Sequence, residues 1–94
     1  MTELLDVLSE VRALLSLPGN DFTWSSFADA ETALHEIDTL AAEVRLRGEV
    51  PWLLGVLFAP TGPIQEVALS SGWGDAFLTL ADRFDAAISH GTPP

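Results

Sequence analysis

The sequence predicts a mainly α fold, a small compact helical bundle formed as a single helical domain over residues 1–94. Three observations predict it. Apolar residues recur at i, i+3, i+4 and i+7 over 3–17, 27–47 and 73–90, the spacing of a helix with one buried stripe. Helix-starting and helix-stopping residues bracket each stretch. With 94 residues, 48 % of them hydrophobic, the chain can build a core without metal or disulfide staples.

In the first helix, Leu4, Val7, Leu8, Val11, Leu14 and Leu15 form the stripe, and Glu3, Asp6 and Glu10 line one edge of it. Thr2 is placed to cap its N-terminus, and Pro18-Gly19-Asn20 stops it. The connection that follows, Asp21 to Ser26, offers Thr23, Ser25 and Ser26 as caps, and Ser26 with Asp29 resembles a capping box. From Phe27 to Arg47 the stripe is Phe27, Ala30, Ala33, Leu34, Ile37, Leu40, Ala41 and Val44, a helix of roughly 30 Å. Gly48 suits its C-terminal end, and Glu43 stands four residues before Arg47 as a surface pair.

Residues 48–74 hold five of the seven glycines, three of the six prolines and two of the three tryptophans. Here helix and strand compete. A hairpin over 52–69 would pair Val56–Phe58 with Val67–Leu69, giving an α+β alternative to the all-helical fold. Two short helices within 51–71 are favoured. Pro51 and Pro63 suit first-turn positions, Gly72 suits a stop, and Gln65, Glu66 and Ala68 are poor strand residues. The last helix buries Trp73, Phe77, Leu80, Ala81, Phe84, Ala87 and Ile88, with Ser71 as a candidate cap. Gly91 is expected to end it, and Thr92-Pro93-Pro94 to fray.

Composition narrows the function. Fourteen acids face four arginines and no lysine, a net charge of −10. That charge opposes nucleic-acid binding, which depends on neutralising phosphate, and anionic membrane surfaces as well. A helix-turn-helix around Gly72 fails on the same ground, because its second helix would carry Asp75, Asp82 and Asp85 against Arg83 alone. There is no cysteine, no apolar run of ~18 residues and no basic leader. The expectation is a cytoplasmic protein with a basic protein partner, to which charge would steer it.

Catalysis has no support in the motifs. Gly72-Trp73-Gly74 lacks the strand and lysine of a phosphate loop, and neither His35 nor His90 sits in a nucleophile motif. Glu31, His35 and Asp38 at i, i+4 and i+7 are the best metal candidates, although such sites need a second set from a facing helix; no metal or other cofactor is expected. Acids recur at heptad spacing as Glu3 and Glu10; Asp29, Glu36 and Glu43; and Asp75 and Asp82. If these rows join they form a negative face; the bland reading is that they solvate the outer sides of helices. Trp24, Trp52 and Trp73 lie at element starts, where tryptophan either closes a core or anchors an interface.

The expected function is a small acidic, non-enzymatic protein-binding module that neutralises or chaperones a basic partner, as an inhibitor, antitoxin or immunity protein would. Its expected contact residues are Trp24, Asp29, Glu36, Glu43, Trp52, Phe58, Trp73, Asp75 and Asp82. One alternative is a homo-oligomeric structural or accessory protein, a homodimer burying the apolar Pro51–Phe58 run. Another is a helical protein holding a small molecule near Trp52, Phe58 and Trp73, or a metal at Glu31, His35 and Asp38.

Overall fold

The computed structural model describes residues 2–90, which form five helices and, among the described residues, no strand. They are α1 (Thr2–Leu15), α2 (Ala30–Arg47), α3 (Trp52–Leu57), α4 (Pro63–Ser71) and α5 (Gly74–His90). None of them is long and apolar enough to cross a membrane.

The 48–74 region resolves into two short helices, not a hairpin. Pro63 opens α4, and Gly72 closes it with φ 87°. Ile64, Val67 and Ala68 are buried, as the helical spacing required. Pro51 stands just before α3, and Leu54, Leu57 and Phe58 turn inward.

α2 begins three residues later than the periodicity predicts. Asp29, not Ser26, is its N-cap, with an extended backbone and its carboxylate accepting from the Thr32 N–H at 2.8 Å. Ser25 and Ser26 have other tasks. The Ser25 hydroxyl donates to the Pro63 carbonyl at 3.0 Å, and the Ser26 N–H donates to Glu66. These bonds strap the connection to α4 and fold the Phe27 side chain into the core from non-helical backbone. Ser71 likewise caps nothing: it is the last residue of α4, and its hydroxyl accepts from the Asp21 N–H at 2.8 Å. Thr2 is already helical, and Gly91 to Pro94 lie outside the described residues.

α1 packs against both α2 and α5, α5 also against α4, and α4 against α3. Arg12 and Glu10 leave α1 on opposite flanks. Arg12 makes a two-pronged contact with Asp38 of α2, at 2.7 and 3.1 Å, while Glu10 meets Arg83 of α5 at 2.6 Å. Glu43 and Arg47 form no ion pair among the described residues. Asn20 joins the end of α1 to the start of α5, donating to the Leu14 carbonyl at 2.7 Å and accepting from the Trp73 indole N–H at 2.9 Å. No polar or charged side chain is buried among the described residues. All candidate chemistry therefore lies on the surface.

Candidate partner-binding surface

Burial separates the three tryptophans. Trp73 is 8 % exposed and closes the core through its bond to Asn20. Trp24 and Trp52 are 73 % and 80 % exposed, so their large apolar rings contribute little to folding. Phe58 is 4 % exposed and belongs to the core. Asp29, Asp75 and Asp82 are exposed, and Glu36 and Glu43 are half-buried beside the stripe of α2.

Of these residues, Phe58 and Asp82 meet at one groove. It lies between α3 and α5, with a volume of about 380 Å³. Its floor is built from aromatic rings: Phe58 stacks on Phe84 with centroids 4.4 Å apart and on Phe77 at 6.3 Å. Gly55 lines it from α3, and Leu78, Asp82 and Asp85 line it from α5. Leu78 is 52 % exposed. Trp52, Gly55 and Val56, spaced i, i+3 and i+4, share the outward side of α3 next to the groove, and all three are exposed. A six-residue helix that buries Leu54 and Leu57 thus shows solvent a second apolar side. Trp52 and Val56 stand in solvent side by side, 80 % and 44 % exposed.

A second apolar cleft, of about 450 Å³, lies between α1 and α5. Glu10 and Arg83 line it and neutralise each other across it. The α3–α5 groove has no basic residue in its lining and keeps its negative rim.

Three carboxyls are held below their ordinary range. Hydrogen bonds from Arg12 do this for Asp38, the Thr32 backbone N–H for Asp29, and Thr23 for Asp21. A carboxyl whose folded pKa is depressed contributes stability that is complete above its unfolded pKa of ~3.9 and is lost as pH falls through the lower folded value. Asp29→Ala is therefore expected to lower the melting temperature at neutral pH and to speed hydrogen exchange in the first turn of α2. Asp29→Asn keeps an N-cap acceptor but removes its share of the acid-side loss. Melting curves of both variants between neutral pH and about pH 3 check this.

Glu31, His35 and Asp38 do not assemble. Asp38 is committed to Arg12, and no group of three potential ligands converges among the described residues. The acidic rows also stay apart: the α2 row and the α5 row lie on helices that flank α1. Gly55, Leu78 and Asp85 were not among the expected contacts. The outward spacing of Gly55 and the Leu78-Asp82-Asp85 sequence at i, i+4 and i+7 are the signals that carry them. No family model, no curated protein and no solved structure matches the chain.

Proposed function

We propose that this chain is a small acidic, non-enzymatic module that binds and covers a basic protein partner, in the manner of an antitoxin or immunity protein. One observation carries the reading: most of its acids have no internal counter-charge. Arg12 and Arg83 are used within the fold, and Glu10, Asp21, Asp29, Asp38 and Glu66 have hydrogen-bond or ion-pair partners. The remaining acids, among them Glu36, Glu43, Asp75, Asp82 and Asp85, have none among the described residues. A surface left negative over a net charge of −10 favours a cationic protein and steers its approach.

Self-association is the second reading, favoured by the exposed apolar side of α3 and by Leu46, 85 % exposed at the end of α2. It must bring two chains of charge −10 together, which the first reading avoids.

Capture from a lysate of the source cells tests the proposal, with the chain as bait at low salt and a rising salt gradient. One basic protein should be retained in stoichiometric amount and released as screening grows. It should bind less well to the Asp75→Asn/Asp82→Asn/Asp85→Asn variant. Recovery of bait alone counts against the proposal.

A further inference from the structure

We propose that the α3–α5 groove is the docking site for a single amphipathic, basic helix of the partner, and that Gly55 lacks a side chain so that this helix can reach the groove. The inference rests on the reading of a basic protein partner and says where that partner is gripped.

Shape is the first argument. The α5 side of the groove runs from Phe77 to Ile88, about 16 Å of helix, which matches three turns of a ligand helix. Helices held in grooves present anchors at i, i+3, i+4 and i+7, and the aromatic floor with Ala81 offers the matching apolar surface. Charge is the second. Asp82 and Asp85 are the charged residues of a lining that is apolar apart from them and Gln65 and holds no basic residue. Lysines or arginines flanking the apolar stripe of a ligand helix would meet these carboxylates, which fixes its orientation and disfavours acidic partners.

Gly55 is the third. It lies inside α3 with ordinary helical backbone, and a Cβ placed there would meet nothing within 4 Å. Folding therefore has neither a steric nor a conformational need for glycine, which weakens a helix interior relative to alanine. The missing side chain opens the mouth of the groove beside Trp52 and Val56, where another backbone can approach closely.

The test uses a synthetic peptide of about 18 residues, with leucines on one helical face and arginines flanking them, and a scrambled peptide of equal composition. Calorimetric titration and amide chemical-shift mapping of the whole chain are read together. The amphipathic peptide should bind at least about tenfold more tightly than the scramble, with shifts concentrated in 52–58 and 77–88. Gly55→Leu should weaken it about tenfold or more, while Gly55→Ala should raise the melting temperature. Leu78→Arg, at an exposed position, should weaken it similarly and guards against a folding defect in the first variant.

Equal binding of the two peptides, an unchanged affinity in both Gly55→Leu and Leu78→Arg, or no binding at all would overturn the groove assignment. If binding is instead lost in Glu36→Gln/Glu43→Gln, the basic-partner reading survives and only the docking site is wrong. If the lysate capture also returns nothing, both are wrong.

Discussion

Phe84→Ala should destabilise the fold by about 3–5 kcal/mol, the range for removing a large buried ring. Phe84 is 2 % exposed, and its ring lies nearly parallel to that of Phe58, at 3° and 4.4 Å. Truncation removes buried apolar area and the stacking contact, and leaves a gap beneath the α3–α5 groove. Small domains have only ~5–15 kcal/mol in all, so the variant would sit close to its unfolding threshold. Urea unfolding should show a much lower midpoint with little change in slope. Leu78→Ala, six residues earlier on the same helix but exposed, should change stability by no more than roughly 0.5 kcal/mol. That contrast separates the buried floor of the groove from its exposed wall on α5.

Gly62→Ala should also destabilise, by about 1–3 kcal/mol, through overpacking. A Cβ at Gly62 would stand 2.7 Å from the Val56 carbonyl oxygen and 2.9 Å from that of Ala59. Both are backbone atoms, so the turn between α3 and α4 must shift to admit a methyl group. The backbone of Gly62 itself is ordinary, with φ −76° at the N-cap of α4, so the penalty is steric alone. Gly55→Ala, seven residues earlier, has the opposite sign: open space and helical angles predict a gain of about 0.5–1 kcal/mol. Chemical denaturation of the two alanine variants in parallel checks both signs. A destabilised Gly55→Ala would remove the argument that this glycine is there for a ligand.

Local signals made the helices legible, and tertiary contacts decided the rest. Pro63, Gln65, Glu66 and Gly72 together define α4, because starts, stops and first-turn charges act within a few residues of chain. The start of α2 was not legible in the same way. Phe27 keeps the helical period, but it is buried from a connection that Ser25 and Ser26 tie to α4, about forty residues onward. The tryptophans show the same limit. All three sit beside turn residues, and only the arrival of Asn20 at Trp73 distinguishes the buried one. The groove depends on two helices that are far apart in sequence, so no window of local pattern contains both Phe58 and Asp85. The acidic rows were readable as rows. Their separation by α1 was not, because it follows from packing order.

Charge and apolar surface make opposite demands on a second copy of this chain. The exposed side of α3 invites contact, while a net charge of −10 on each copy opposes it. A chain that keeps this face for a partner of opposite charge, as proposed, stays monomeric on its own. Sedimentation equilibrium of the purified protein at low salt, over a hundredfold concentration range, decides between the two demands. A monomer of 10.1 kDa is expected throughout, converted to a heavier complex by a basic amphipathic partner. A dimer that persists to the lowest concentration, with or without salt, would contradict it and make the second copy the occupant of the face.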